Sequence, residues 1–503
     1  MPRVNLDKLR EDFFKLRSAT EGKKIIKKEL KSFEKNTEKY LSSWMAFSKR
    51  AEHVYPSQGL LITPHDYLSY ESMQMLPQEK IVKTLRLRWF LLSQFNHPYR
   101  IHYLKQVNNK KFAPPKQVSC PTIEKSVKEG LSLSIGDLGA SVTGADKPRS
   151  SRNERYAQGP FVKLGKQARS LFVGSASPDV WNSAAAIATM AASHCMASIP
   201  RNSITSDPVR QADLAKETFV WLDNLANRIL KNSPDKKMIL NMWKNNVSGT
   251  LDASPEKAIV RAKLLYKNGV RTFRVYSPEP GTGPVDTVKE LRRIYGDKIE
   301  IFTGQIIDVE QALRAQKAGA DGIYVGVGGG GRCITGVRSG SVVDWPELVW
   351  QLRGKLKIPI IVEGGASDHV SVALLLGASG ISVSRVVSGG TIESPGGCLF
   401  CSDNNGRLFK PYGGEASART KYTDGKLLPF NIPSFVEGET TKAEMSYVKF
   451  VYPTLTYNLH LLIEDAILTM VFRNVQNLEE LHKIDPSPLR KNTSFGNFQR
   501  KTH

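Results

Sequence analysis

From about residue 171 onward the chain repeats one unit, and that repeat constrains the fold more than any other feature. The unit is a short β-rich run, a turn and an amphipathic helix. LFVGS (171–175) reads as a strand and residues 184–192 as a helix. MILNM (238–242) reads as a strand ahead of the helix SPEKAIVRAKLLYKNG, with Ser254 as its N-cap and Gly269 as its stop. RTFRVY (271–276) precedes a helix near 284–295. IEIFTG (299–304) precedes DVEQALRAQKAG, opened by Asp308 and closed by Gly319. GIYVGV, a glycine loop, a helix near 345–353, PIIVEGG, a helix near 368–376 and ASGISVS complete the series. Alternation at this pace implies βαβ units around a parallel sheet. So many units without one dominant crevice motif favour, within the α/β class, a closed (β/α)8 TIM barrel over an open sheet. In such a barrel the chemistry sits on the loops that follow the strands.

Upstream the pattern changes. Residues 1–135 read as a basic, mainly helical extension, 136–165 as a linker or loop, 166–485 as the barrel and 486–503 as a tail. In residues 1–50, Lys and Glu alternate with Leu9, Phe13, Leu16, Ile25, Ile26, Leu30 and Phe33, and IVKTLRLRWFLLSQF reads as a packed helix. The formal net charge is +23, and residues 1–170 hold 32 basic against 16 acidic side chains. A field of that sign concentrates phosphates, whether nucleotides or nucleic acid. RWFLLSQFNHPYRIHYLK interleaves basic and aromatic residues and is the candidate nucleic-acid stretch; the same pattern is more often an ordinary helix with a charged face.

Several classes are excluded. No apolar run approaches the ~18–20 residues of a membrane span, so no membrane partner is expected. Asp7, Glu11 and Asp12 break up the first turns, against a secretory signal. Five cysteines form an odd, sparse set that suits a reducing, cytoplasmic location over a disulfide scaffold. Cys398 and Cys401 make a lone CxxC, poor support for zinc without a second pair, and Cys120, Cys195 and His194 read as core. No P-loop, HExxH or Ser/His/Asp arrangement is present.

The segment ADGIYVGVGGGGRCITG carries the chemistry. Four consecutive glycines, Gly328 to Gly331, permit positive φ and close approach to a ligand. Cys333 follows directly, then Thr335, and Arg332 next door favours the nucleophilic thiolate. From spacing alone, a catalytic thiol and a glycine-rich surface loop with an incidental thiol are both open.

This segment resembles the signature loop of the inosine 5′-monophosphate (IMP) dehydrogenase / guanosine monophosphate (GMP) reductase family. That loop reads Gly-x-Gly-Ser-x-Cys-x-Thr after a strand ending in Val-Gly, and Gly328, Gly330, Cys333 and Thr335 fall on its positions. IPIIVEGGASDHVSVALLLGASGISVS is similar to the family's phosphate-binding strand, helix and strand. ESPGG and FKPYGGEAS resemble its Pro-Gly turn and the Tyr-containing loop before the flap, and FVEGE its purine-contacting segment. LFVGSASPDVWNSAAAIATMAASHCMAS resembles the barrel's first strand and helix. The likeness preserves order over roughly 165–485.

The resemblance implies a covalent adduct between Cys333 and C2 of a purine mononucleotide, IMP or GMP, with Thr335, Arg419 and Tyr422 in catalytic roles. It implies a 5′-phosphate site at Gly331, Gly364, Gly365, Ser384, Arg385 and Tyr412, with Ser175 also on the substrate. Glu363 takes the place of the ribose-binding aspartate, and Glu437 accepts from the purine N1–H. Tyr276, Ser277 and Gly326 fall on the NAD side. A monovalent cation, K+, falls at Gly328, Gly330 and Cys333, and a homo-tetramer is expected.

The chain also departs from the pattern. Tyr276 and Ser277 stand where an Asp ends the strand, and Gly331 replaces the loop serine. The Gly-Ser turn is Ser384–Arg385, and LLIEDAILTMVFRN replaces a glycine-rich helix motif. The regulatory nucleotide-sensing insert and the C-terminal Glu-Gly-Gly are absent. The expected activity is NAD-dependent oxidation of IMP to xanthosine monophosphate. Two alternatives stand beside it: GMP reduction with NADPH, and a non-catalytic relative that binds nucleotide or nucleic acid.

Overall fold

The structure is a computed structural model that describes residues 73–75, 78–130, 138–140, 142–143, 147–277, 283–327, 343–402, 408–412, 414–415, 420, 427–428, 432–433, 441–444 and 454–501. Eight parallel strands form its centre: β1 (Phe172–Gly174), β2 (Ala197–Ile199), β3 (Val247–Leu251), β4 (Thr272–Tyr276), β5 (Glu300–Ile306), β6 (Gly322–Val325), β7 (Ile360–Val362) and β8 (Gly380–Val383). Each pairs with the next, and β8 returns to β1. A parallel bridge from Val173 to Met196, with Gly174 N donating to Met196 O at 2.7 Å, closes the ring between β1 and β2. The expected (β/α)8 barrel is therefore what the chain forms.

Eight helices flank it: α1 (Ala184–Ala192), α2 (Pro208–Ile229), α3 (Pro255–Lys267), α4 (Gly283–Tyr295), α5 (Val309–Lys317), α6 (Trp345–Leu352), α7 (Val370–Leu376) and α8 (Leu455–Phe472). Local chemistry sets their ends. Ser183 Oγ accepts from Ala186 N to start α1, and Asp308 Oδ1 accepts from Gln311 N to start α5, which stops before Gly319 at φ +98°. All nine residues of α1 are buried, as its run of alanines allows. α8 is long and apolar enough to cross a membrane by length and composition, which amends the expectation of no such run. Here it packs beside α7 and α1 as the barrel's eighth helix.

One strand assignment fails. MILNM lies inside a helix, Lys236–Asn245, and the strand is VSGTL, five residues further on. Ile239, Met242 and Trp243 are the buried positions, at helical spacing. A five-residue apolar run does not separate the two periods. The true strand is masked by Ser248 and Thr250, both fully buried polar residues.

The stretch 136–170 holds ordered elements: a strand Leu138–Ala140, a helix Arg152–Gln158 and an antiparallel hairpin, Phe161–Leu164 with Gln167–Ser170. The hairpin plugs the N-terminal end of the barrel. Leu164 buries itself with Val173, Met196, Phe302, Tyr324 and Ile361, and Arg169 pairs with Glu300, the first residue of β5. Burial alone would push the Glu300 carboxyl up; Arg169, with hydrogen bonds from Lys166 N and Thr272, holds it below the usual carboxylate range. The tail contributes a strand, Leu489–Lys491, paired with Leu138–Ala140.

The described N-terminal region is helical, with helices Gln78–Phe95, Pro98–Asn108 and Pro121–Lys128. Two of its arginines turn inward. Arg88 is fully buried against Glu393 at 3.2 Å, and Arg100 donates to Tyr156 O at 2.8 Å over the Tyr156 ring. The basic–aromatic stretch therefore supplies core and ion pairs, the ordinary reading of that pattern. Residues 73–75 pair antiparallel with Leu399–Ser402, extending a four-stranded sheet with Leu408–Tyr412 and Thr441–Glu444.

Candidate functional site

The C-terminal mouth of the barrel gathers seven of the expected site residues at the exits of four neighbouring strands. β6 leaves through Gly326, at φ +127°, and a Cβ there would lie 2.1 Å from the Glu363 carbonyl oxygen. Only glycine permits that approach. β7 is followed by Glu363, then Gly364 and Gly365 at φ +95° and +76°. β8 is followed by Ser384 and the short helix Arg385–Ser388. Ser175 follows β1, its amide donating to Val383 O at 3.0 Å. The exits of β6, β7, β8 and β1 thus form one continuous rim.

Tyr412, half-buried, ends the strand Leu408–Tyr412, which packs on the helix Pro178–Trp181 just after Ser175. In the same strand Lys410 is buried and donates to the carbonyls of Thr391, Ser394 and Gly397 at 2.7, 3.3 and 2.7 Å. That fixes the ESPGG turn. Glu393 within the turn accepts from Thr454 Oγ1 and from Leu455 N at the start of α8, and pairs with Arg88.

Glu363 is not an idle carboxylate. Arg274, on β4 across the barrel, donates from Nη2 to both its oxygens at 2.9 and 2.7 Å, and Ser382 Oγ donates to Oε1 at 3.1 Å. The Arg274 guanidinium lies 4.3 Å from the Tyr276 ring centre and 4.2 Å from that of Tyr324. Burial works to lower its pKa, but the Glu363 carboxylate holds the guanidinium above its ordinary range. Sequence reasoning missed Arg274. The signal was there: a charged residue in the middle of a fully buried strand.

On the other side of the mouth, Tyr276 ends β4, its hydroxyl accepting from Gln305 Nε2 at 2.7 Å, and Ser277 follows, buried at the rim. Arg201 is a second unforeseen hub. It donates to the carbonyls of Leu251 and Tyr276 at 2.9 Å each and to Glu415 at 2.6 Å, and lies 3.4 Å from Asp252. Arg261 holds Asp252 from below at 3.0 Å. The Glu415 segment is thereby tied to the ends of β3 and β4.

Cys333, Thr335, Gly328, Gly330, Gly331, Arg419, Tyr422 and Glu437 lie outside the described residues. Among the described residues no cluster of His, Cys, Asp or Glu could hold a metal ion. Cys120, Cys195 and Cys398 are buried, and burial pushes the Cys195 thiol up to about 12. Cys398 sits in an apolar cluster with Ile81, Leu85, Ala185, Ile392 and Phe400. A cavity of about 260 Å³ opens at the far end of the barrel between Tyr103, Phe161 and Leu478, and touches no residue of the mouth.

Comparison with known proteins covers the same ground. The profile of the IMP dehydrogenase / GMP reductase domain matches residues 167–483. An inosine-5′-monophosphate dehydrogenase of Nitrosopumilus maritimus is 38% identical over 138 residues, 26% of this chain and 28% of that protein. The Mycobacterium leprae protein of the same name is 33% identical over 168 residues, 32% and 31%. That of Helicobacter pylori is 30% identical over 194 residues, 35% and 39%. The chain thus aligns with about a third of the length of the curated relatives it matches.

Proposed function

The chain belongs to the IMP dehydrogenase / GMP reductase family, and from that membership we propose that it oxidises IMP to xanthosine 5′-monophosphate with NAD. The observation that carries the reading is the shared rim: the β6 exit at Gly326 runs against the carbonyl of Glu363, directly before Gly364 and Gly365. The loop that leaves Gly326 carries Cys333 seven residues on. In this reading the backbone turns after β7 and β8 take the 5′-phosphate, since exposed amides in glycine turns favour an anion. Ser175 and Tyr412 support that side, and Glu363 takes the sugar.

The Cys333 thiolate would add to C2 of the purine, C2 would then give up its hydride to the bound acceptor, and water would displace the thiol to give the product. NAD supplies the hydride acceptor when bound. The donor set at the end of β4 suits a flat carboxamide-bearing ring: an aromatic side chain, Tyr276, followed by a hydroxyl, Ser277. The Arg201–Glu415 tie braces that side of the mouth.

The test is direct. Full-length protein is mixed with IMP and NAD, then with GMP and NADPH, and nicotinamide absorbance is followed. Reduction of NAD by IMP supports the proposal, and NADPH oxidation by GMP assigns the reverse-type reductase instead. Absence of both, with IMP still bound, identifies a non-catalytic relative. A nucleotide adduct trapped on Cys333 by mass spectrometry tests the covalent step.

A further inference from the structure

The Glu363 carboxylate stands where the family's sugar-binding residue is expected, yet much of its accepting capacity is already used. Arg274 Nη2 reaches both oxygens and the Ser382 hydroxyl reaches Oε1. An ionised carboxylate offers about four lone-pair sites. Three hydrogen bonds fill three of them, leaving one on Oε2. Bridging two vicinal hydroxyls needs two.

Arg274 itself has little room to move away. Its side chain is 1% exposed, clasped between the rings of Tyr276 and Tyr324, while the Glu363 side chain is 16% exposed. The glutamate's extra methylene, compared with aspartate, gives it the reach to meet an arginine across the barrel. Replacing that cation would leave a carboxylate mostly out of water with a single hydroxyl donor.

We propose that Arg274, with Ser382, is a positioning residue that sets Glu363 to grip one sugar hydroxyl of the purine nucleotide instead of the vicinal pair. This rests on the nucleotide reading above. It makes sugar recognition one-sided: of the 2′- and 3′-hydroxyls, one carries the contact with Glu363 and the other is dispensable to it.

The experiment compares binding of IMP, 2′-deoxy-IMP and 3′-deoxy-IMP to the full chain by calorimetric titration. One deoxy analogue binds within about threefold of IMP and the other at least about tenfold more weakly, the loss expected for one hydrogen bond to a charged group. In Arg274→Met the freed carboxylate accepts both hydroxyls, and both analogues fall at least about tenfold behind IMP. Arg274→Lys keeps the cation and the one-sided pattern, so the comparison survives should the methionine variant not fold. Equal dependence on both hydroxyls in the unmodified chain, or in Arg274→Lys, overturns the inference while leaving the nucleotide function intact. A one-sided pattern that persists in Arg274→Met overturns it too. Failure of all three nucleotides to bind removes the proposed function, and this inference with it.

Discussion

Arg88 and Glu393 form a wholly buried ion pair at 3.2 Å that fastens the N-terminal helix Gln78–Phe95 to the ESPGG turn of the barrel. Arg88 also donates to Thr189 on α1 at 2.8 Å, and Glu393 receives Thr454 and the first amide of α8. Breaking a buried pair from one side strands the other charge. Arg88→Met is therefore expected to cost about 3–5 kcal/mol in urea unfolding, and Arg88→Met with Glu393→Gln to recover part of that. A single-variant cost below about 1 kcal/mol would show that the pair contributes little.

Gly326 is the hinge of the rim. A methyl group there collides with the Glu363 carbonyl, and its φ of +127° is one that L side chains rarely adopt. Gly326→Ala is expected to destabilise by more than about 1 kcal/mol and to weaken IMP binding more than Gly130→Ala, a positive-φ glycine with open space around it. Equal effects of the two in thermal melts and titrations would contradict the role given to the rim.

Two buried histidines make stability depend on pH. Burial first, then neighbouring Arg100 for His194 and Arg353 for His482, lowers each to about 3. Both are neutral in the fold, while the unfolded chain takes up protons below its ordinary value of about 6.5. Stability is then intact above pH ~6.5 and is lost progressively as the pH falls from there toward 3. Denaturant unfolding at pH 7 and pH 5 should differ by about 2 kcal/mol per histidine. His194→Asn, which suits the positive φ of 63° at that position, should shrink the difference; an unchanged pH slope in that variant refutes the assignment.

Cys333→Ala is expected to reduce turnover of IMP by at least about a thousandfold, since the covalent route is lost. Affinity for IMP should change far less. Retained turnover in a stopped assay of the variant would remove the thiol from the reaction.

Much of the fold was legible because its signals are local. Asp308 and Gly319 bracket α5, and Ile360 to Val362 form an apolar run too short for anything but a strand. β3 was illegible because its inward positions are Ser248 and Thr250, which break the apolar pattern that marks a strand. The hairpin Phe161–Ser170 hid in a basic, glycine-containing stretch because its purpose is non-local: Leu164 and Arg169 make sense only inside a closed barrel. Glu363 could be placed at the barrel mouth from its motif. Its pairing with Arg274, 89 residues earlier on the opposite wall, could not, because nothing in either neighbourhood names the partner.

The antiparallel pairing of residues 73–75 with Leu399–Ser402 means that the barrel's boundary in the sequence is no place to cut. A fragment starting at residue 166 would bare the backbone donors and acceptors of a strand that is internal in the intact sheet, while depriving Glu393 of its counter-charge. Bared strand edges recruit other chains. Such a fragment is expected to self-associate through that edge, so a well-behaved recombinant form of this protein begins upstream of Met73.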